Sequence, residues 1–254
     1  MKIVNSHLKF PKAKLIDPNT KGYIHIAVEA DYSSFPFFLS ASKTKKEILG
    51  KANQLLTGIK KQEGVQAVSL FKAAIMPPAR QAYLDSIKDK IHVAKFDVAI
   101  LIETENIDTA KKVREDENLR QLLEYFEKHA YFTHVAVMKN ARRIAEVDKS
   151  RPGIFLFNYF FAEDPNEIFP VWEYTAGWFT TNTALDNSTL LKPLDGQNSK
   201  YSVINHCRWD RLSYVLPRLM LMKTVRSYVG ENFTANNIAS MPILYRLENN
   251  FKTQ

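Results

Sequence analysis

The residues with the clearest chemical potential lie together in one β-type segment, Tyr201–Trp209. Because side chains alternate along a strand, Asn205 and Trp209 share one face of this segment, whereas His206 points to the opposite face. An asparagine amide can both donate and accept hydrogen bonds, and a tryptophan supplies a large flat apolar surface. His206 could act as a general base beside Asn205. The structural alternative is that Asn205 satisfies backbone groups near the strand end and that Trp209 fills the core.

The histidines give no signature of a metal site, since the chain contains no HxH, HExxH or CxxC spacing. His25 and His134 could lie on adjacent strands and share a ligand or a metal. A buried, hydrogen-bonded role for each is the simpler interpretation. We therefore predict no metal and no other cofactor.

Other sequence features exclude several common classes of protein. GxGxxG, GxxxxGK[ST] and GxSxG motifs do not occur, and the chain has only 8 glycines, which argues against nucleotide cradles and nucleophile elbows. Cys207 is the single cysteine, so we expect a buried, inert thiol, no intrachain disulfide and a cytoplasmic location. No apolar run approaches the roughly 20 residues that span a bilayer, and no signal peptide is evident. We therefore expect no membrane partner.

The net charge of +8 is unevenly distributed along the chain. Residues 1–150 carry 25 Lys and Arg against 18 Asp and Glu, a balance of +7, and residues 151–254 carry 10 against 9, a balance of +1. The lysines mostly alternate with acidic residues on predicted helices. This pattern favours a solvated helix face over a phosphate-binding face, so we predict no nucleic-acid partner.

Hydrophobic periodicity predicts the order strand, helix, strand, strand, helix, strand twice over. An extension covers residues 1–21, the first half residues 22–140, a linker residues 141–152, and the second half residues 153–254. The first half is predicted as strands 23–30, 65–75, 96–103 and 131–138, helices 43–62 and 108–129, the latter capped by Asp108, and a short helical excursion at 79–90. The second half is predicted as strands 153–161, 189–194, 201–209 and 241–247 and helices 169–181 and 217–233.

This order defines the ferredoxin-like unit, so the predicted fold class is α+β with two such βαββαβ halves in tandem. A four-stranded sheet with both helices on one face must bury its other face. We expect the two sheets to pack face to face as an α/β barrel within one chain. The barrel interior would then be an apolar cavity with a few polar side chains, as in many small-molecule sites.

Three segments of the second half carry a resemblance to a known family: Phe157-Asn158-Tyr159, Val171–Trp178 and Ile204–Asp210. Over about the last hundred residues, the chain resembles the antibiotic-biosynthesis monooxygenase group of the dimeric α/β-barrel superfamily. The first half resembles this superfamily in element order alone.

The resemblance implies a set of site residues. Cofactor-free oxygenases of that group use an Asn and a Trp four positions apart, which Asn205 and Trp209 match. These enzymes also use a Tyr shortly afterwards, and Tyr214 is near that place but offset. We expect Asn205 and Trp209 to share a cavity with at least one of Asn158, Trp172, Tyr174 or Trp178. Because six residues span about 240° of a helix, Trp172 and Trp178 cannot both face the sheet.

Some relatives in the superfamily bind haem, and haem-degrading members use a His on the last helix. No His occurs between Asp210 and Asn237, which argues against haem here. We expect a protein that binds a small apolar or aromatic molecule, with cofactor-independent monooxygenase chemistry as the leading hypothesis. A non-catalytic member that binds a ligand or partner is the alternative, haem binding is a further one, and a homodimer is left open.

Overall fold

The computed structural model describes residues 1–32, 35–38, 40–77 and 81–252 and has an α+β fold. The first half comprises β1 (Gly22–Glu29), α1 (Lys43–Lys60), β2 (Val65–Ile75), α2 (Ala82–Ile87), β3 (Val98–Thr104), α3 (Ile107–Arg114), α4 (Glu117–His129) and β4 (Phe132–Ala145). The second half comprises β5 (Ile154–Ala162), α5 (Ile168–Thr183), β6 (Ser188–Pro193), β7 (Val203–Trp209), α6 (Leu216–Leu221), a π-helix (Val225–Gly230), α7 (Glu231–Ala235) and β8 (Ile238–Lys252). The two predicted ferredoxin-like halves are confirmed.

The strands form one closed barrel in the order β1-β3-β2-β8-β5-β7-β6-β4. Within each half the order is that of a ferredoxin-like sheet, with the first strand between the third and the fourth. Antiparallel pairs β2–β8 and β4–β6 join the two half-sheets. Closure removes the exposed sheet edges that each half would have alone.

The barrel interior is filled, which corrects the expectation of a cavity there. Its core consists largely of aromatic rings that are at most 1% exposed: Phe71, Phe96, Phe155, Phe157, Tyr159, Tyr201 and Tyr245. Many of these rings meet edge to face, for example Phe71 and Phe155 with centroids 5.1 Å apart. Large rings on the inward positions of both half-sheets leave little room for a ligand.

The helices pack on the outside of the barrel. In the first half, Ile24, Ile26 and Val28 of β1 point outward, and the apolar stripe of α1 covers them. Ser42 begins α1 by accepting a hydrogen bond from the Lys45 amide at 3.2 Å. Among the described residues, no helix combines the length and the apolar character needed to cross a membrane.

Two predicted helices are interrupted in the structure. The helix expected over 108–129 is two helices, because Asp116 caps α4 and accepts a hydrogen bond from the Asn118 amide. Asn106, not Asp108, caps α3. The helix expected over 217–233 is divided into α6, the π-helix and α7, with Met222 in an extended conformation between the first two.

Some strand bounds also differ from the prediction. β4 continues to Ala145 and β8 extends from Ile238 to Lys252. The first part of the segment predicted as a linker therefore belongs to the barrel wall. The predicted helical excursion is α2, and positions 79 and 80 of that prediction lie outside the described residues.

The N-terminal extension lies across the helices of the second half. Phe10 meets the Tyr228 ring edge to face at 4.7 Å, and Asn232 exchanges hydrogen bonds with the backbone of Val4. A Cβ on Gly177 would stand only 1.9 Å from the Pro11 carbonyl oxygen, so α5 needs glycine there to let the extension approach. The extension thus fixes the outer layer of the second half.

Candidate functional site

A cavity of about 370 Å³ lies outside the barrel, between the outer face of the second half-sheet and its helices. Strands β5, β7 and β8 form its floor, α5 forms one wall, and α6 and the π-helix form the other. Most of its lining is apolar, including Leu156, Phe160, Phe179 and Val229. A mainly apolar cleft with a few placed polar groups is typical of small-molecule sites.

The polar groups of the floor are organised around two facing asparagines. Asn158 on β5 and Asn205 on β7 are directly opposite partners in the antiparallel ladder. The Asn205 Oδ1 accepts a hydrogen bond from Ser188 Oγ at 2.7 Å, and Asn158 Nδ2 donates to Ser240 Oγ at 3.3 Å. All four side chains line the cavity. The floor therefore carries a short polar strip across four neighbouring strands.

Two amide atoms in this strip have no partner among the described residues. Asn158 Oδ1 is buried without a hydrogen bond, and no described group accepts from Asn205 Nδ2. Asn205 is only 6% exposed, so this amide donor faces the cavity rather than bulk water. A ligand oxygen placed there would receive a hydrogen bond in a region of low dielectric, where such a bond is strong.

Trp209 and Trp172 line opposite sides of the cavity, one on β7 and the other on α5. Trp209 is 2% exposed, and its Nε1 donates to Thr183 Oγ1 at 3.0 Å, which fixes the orientation of the ring. Thr175, one turn after Trp172, also lines the site and donates its hydroxyl hydrogen bond to the Val171 carbonyl. The structure thus brings together four candidates from the sequence: Asn158, Trp172, Asn205 and Trp209.

The remaining substrate-binding candidates lie elsewhere. Trp178 is fully buried in the helix layer and donates from Nε1 to Thr224 Oγ1 at 2.9 Å. Tyr174 stacks on Tyr228 with ring centroids 4.8 Å apart. Tyr214 is 38% exposed on a short 3-10 turn outside the described cavity lining. Of the two tryptophans of α5, Trp172 lines the cavity and Trp178 does not.

His206 points into the barrel interior, away from the cavity. It therefore cannot act as a general base beside Asn205 in that cavity. Its ring stacks on Phe157 with centroids 4.3 Å apart, and its Nδ1 donates to the Leu156 carbonyl at 3.1 Å. Burial lowers the pKa of His206 well below its usual range. A neutral ring, packed among aromatics, explains this position.

Cys207 shares the outward face with Asn205 and Trp209 and lines the cavity. It is fully buried, and desolvation raises the pKa of its thiol well above the usual value. The protonated thiol is therefore a poor nucleophile and a poor metal ligand. It behaves as an apolar wall residue, as the sequence indicated.

Sequence reasoning missed the cations at the rim. Lys223 and Arg226 line the cavity next to Met222 and Val225, and neither takes part in an ion pair among the described residues. Arg226 belongs to the π-helix, a local widening of the helix that is common at functional sites. The signal available in the sequence was the absence of Asp and Glu between Asp210 and Glu231.

The histidine pair His25 and His134 lies on adjacent strands inside the barrel, as expected from the sequence. His25 Nε2 lies 3.5 Å from Tyr159 Oη, and His134 Nε2 lies 3.1 Å from Ser199 Oγ. Within the part of the chain that the structure describes, no group of three or more His, Cys, Asp or Glu could hold a metal ion. These histidines are structural groups of the barrel core.

Comparison with solved structures identifies the fold class. The chain superposes on an anthrone oxidase-like protein with a TM-score of 0.61 at 13% identity, covering 96% of both chains. A proposed monooxygenase from Fusobacterium nucleatum gives a TM-score of 0.55 at 6% identity, covering 92% of this chain and 95% of the other. One from Lactobacillus acidophilus gives 0.50 at 8% identity, covering 92% and 97%.

No family model and no curated protein matches the sequence. The chain nevertheless shares its overall fold with these structures, and that fold is the closed barrel of two ferredoxin-like halves that the resemblance implied. At these identities the comparison establishes the architecture alone. The cavity and its residues must carry any conclusion about function.

Haem binding is the further alternative that the sequence left open, and it depends on an axial ligand for the iron in the cavity. Haem iron in proteins is held by His, by a Cys thiolate, by Met together with His, or by Tyr. The described lining contains no His and no Tyr, and the Cys207 thiol is protonated by burial. The described residues therefore do not fit a haem.

Proposed function

We propose that the protein binds a planar, largely apolar aromatic molecule in this cavity and oxidises it with O2 without a bound cofactor. The observation that carries the proposal is the Asn205 amide, whose Nδ2 has no acceptor among the described residues, in the floor of a mainly apolar cavity with aromatic side chains in its lining. Trp172 and Trp209 supply flat walls for a ring system. The single buried cysteine also fits the cytoplasmic location expected from the sequence.

The chemistry requires a substrate that can itself reduce oxygen. A methylene group between a carbonyl-conjugated ring and a second ring loses a proton to give an enolate, and the Asn205 Nδ2 hydrogen bond to the enolate oxygen stabilises that charge. The enolate carbon is oxidised by O2 to a hydroperoxide. Loss of water from the hydroperoxide breaks the O–O and C–H bonds and leaves a carbonyl group. Each methylene group thus consumes one molecule of O2 and yields one carbonyl group and one molecule of water, so no external reductant is needed.

The comparisons support this class of reaction without establishing it. Three of the most similar folds are an anthrone oxidase-like protein and two proposed monooxygenases. Anthrone has the required methylene group opposite a carbonyl group on a planar tricyclic frame. It is therefore a suitable probe for the cavity.

A non-catalytic ligand-binding protein is the second candidate, and one observation favours it. The described lining contains no carboxylate and no imidazole that could accept the substrate proton. Catalysis would then depend on solvent as the proton acceptor and on Asn205, with the rim cations Lys223 and Arg226, to stabilise the enolate. A cavity that binds the ligand without lowering the activation free energy of its oxidation would have the same lining.

The test is anthrone oxidation by the purified protein, followed with an oxygen electrode and by the absorbance of anthraquinone. We expect oxidation above the uncatalysed rate and a loss of about 100-fold for Asn205→Ala combined with Ser188→Ala, since one oxyanion donor contributes about this factor. The Ser188 change removes the hydroxyl that Asn205 would otherwise leave unpaired. Asn249→Ala, on β8 outside the described lining, is the matched control. Saturable anthrone binding without oxygen consumption would establish the non-catalytic alternative.

A further inference from the structure

Large apolar side chains are exposed around the entrance to the cavity. Met220 is 52% and Leu221 80% exposed, and both line the cavity described above. Phe35 is 47% and Phe37 53% exposed, and both line a second cavity together with Met220. These four residues are called the mouth patch. Contiguous exposed apolar side chains of this size usually mark an interaction surface.

The second cavity has a volume of about 460 Å³ and adjoins the first. The two cavities share Pro77, Met220 and Pro242, and the described lining of the second is apolar throughout. An apolar molecule entering through the mouth patch would therefore meet apolar surface continuously until it reached the polar strip at Asn205.

Positive charge is concentrated on the segment that carries Met220 and Leu221. The segment 211–230 contains Arg211, Arg218, Lys223 and Arg226 and no acidic residue. Of the two acids that flank the segment, Asp210 pairs with Arg208 at 2.8 Å, whereas Glu231 accepts a hydrogen bond from the neutral Asn5 amide at 2.7 Å and keeps its charge. The four cations therefore outnumber the one flanking acid that no described cation pairs with. The mouth patch is thus apolar at its centre and cationic at its rim. This combination is typical of segments that lie in a lipid interface.

We propose that the mouth patch docks on an anionic lipid bilayer and that apolar ligands pass from the bilayer into the two adjoining cavities. This inference rests on the part of the proposed function that assigns an apolar ligand to the cavity, and it is independent of the oxidation step. It differs from the expectation from sequence that the protein has no membrane partner. Docking needs no membrane-spanning helix, because exposed apolar side chains insert only at the level of the headgroups.

The charge pattern favours a bilayer over a second copy of the chain. A two-fold interface would place the same surface against itself and bring the four cations of each copy together. An anionic bilayer instead complements them, and each cation near such a surface strengthens binding about fivefold. A bilayer also explains why both cavities open within the patch, since it dissolves the apolar molecules that the cavities would take up.

Flotation of the full chain with phosphatidylcholine vesicles, with and without phosphatidylserine, tests this proposal. We expect binding only to vesicles that contain phosphatidylserine, and weaker binding at high salt because the charges are screened. Lys223→Ser combined with Arg226→Ser should weaken binding about 25-fold, from two cations at about fivefold each. Leu221→Glu should weaken it at least tenfold. Lys43→Ser with Lys46→Ser on α1, and Tyr131→Glu at a residue that is 72% exposed, change residues that line neither cavity and are matched controls that should bind normally.

Two results would overturn the proposal. One is the absence of flotation, or flotation that is equal for Leu221→Glu and for Tyr131→Glu. The other is a dimer that Leu221→Glu converts to monomer in sedimentation while vesicles are not bound, which would assign the patch to a second copy. Because flotation does not depend on turnover, inactivity toward anthrone leaves this result unaffected.

Discussion

The two halves of the barrel share one topology but differ at equivalent positions on their outer faces. In the first half, Ile26 of β1 faces Ile100 of β3 across the ladder. In the second half, the corresponding pair is Asn158 of β5 and Asn205 of β7. The isoleucine pair lies in a packed apolar layer, whereas the asparagine pair forms the floor of a cavity. The same unit is thus a structural layer in one half and a candidate site in the other.

The helices above these positions differ in the same sense. In the first half, α3 and α4 follow β3 with only two residues between them, and both bury apolar side chains such as Val113, Leu122 and Phe126 in the layer outside the sheet. In the second half, the region after β7 is divided into α6, the π-helix and α7. The interruption at Met222 prevents close packing against the sheet and leaves space for a ligand. The half with the cavity thus differs from the packed half in two features, a polar ladder pair and a helix layer that is interrupted at Met222.

The largest expected effect comes from placing the polar group in the packed half. Ile100→Asn buries an amide in a layer without partners and should destabilise the fold by about 3–5 kcal/mol or prevent folding. Ile100→Val, which removes one methylene, should cost about 1 kcal/mol. Urea unfolding of both variants measures the difference. If both variants lose the same free energy of unfolding, the outer layer of the first half tolerates polar groups as well as that of the second half does.

The barrel interior, which both halves share, should make stability depend on pH. Burial lowers the pKa of His25 and His206 well below the usual range and that of His134 to about 4. Since the folded pKa values are lowered, this stability is complete above about pH 6.5 and is lost as the pH falls from there toward 4. The unfolded chain binds more protons in this window, so unfolding is favoured.

His134→Gln removes one of these protonation sites while keeping a polar group near Ser199. The fall in the free energy of unfolding between pH 6.5 and 4 should become smaller by about 2–3 kcal/mol. A slope that His134→Gln does not alter would show that this histidine is not buried in its neutral form.

The reverse exchange in the second half should affect stability least. Asn205→Leu combined with Ser188→Ala removes both partners of one hydrogen bond, which is nearly neutral when the new side chain fits. We expect a change within about 1 kcal/mol in unfolding free energy but loss of anthrone binding, because Leu fills part of the cavity and removes its amide donor. Asn249→Ala should retain binding. If the Asn205→Leu variant still binds anthrone, the second-half cavity is not the site that recognises the ligand.

Periodicity predicted the order of the elements and the tandem ferredoxin-like fold. Strand parity also correctly placed Asn205 and Trp209 on one face and His206 on the other. Parity distinguishes two faces but does not say which is inside a barrel. That choice depends on the volume of the opposing rings, such as Phe71 and Phe157, which come from different halves and meet only after closure.

The interrupted helices were harder to predict from sequence. Asp116 lies inside a stretch with helical periodicity, so its role as the N-cap of a second helix is hard to recognise. The interruption at Met222 is not marked by a Gly or a Pro. The rim cations were missed because each of Lys223 and Arg226 resembles an ordinary surface residue. Their significance is evident only from the cavity that they line, and that cavity lies beside the interruption of the helix at Met222.

The most direct test of the account is the NMR spectrum of the asparagine side-chain amides during titration with anthrone in the absence of O2. We expect the Asn205 amide resonances to shift until the protein is saturated with anthrone, because Nδ2 gains an acceptor. The resonances of Asn158, which lies beside Asn205, should shift less. Asn205→Ala assigns the resonances, and the Asn249 amide should not move. Unchanged Asn205 resonances at saturating anthrone would contradict the claim that the second-half cavity is the ligand site.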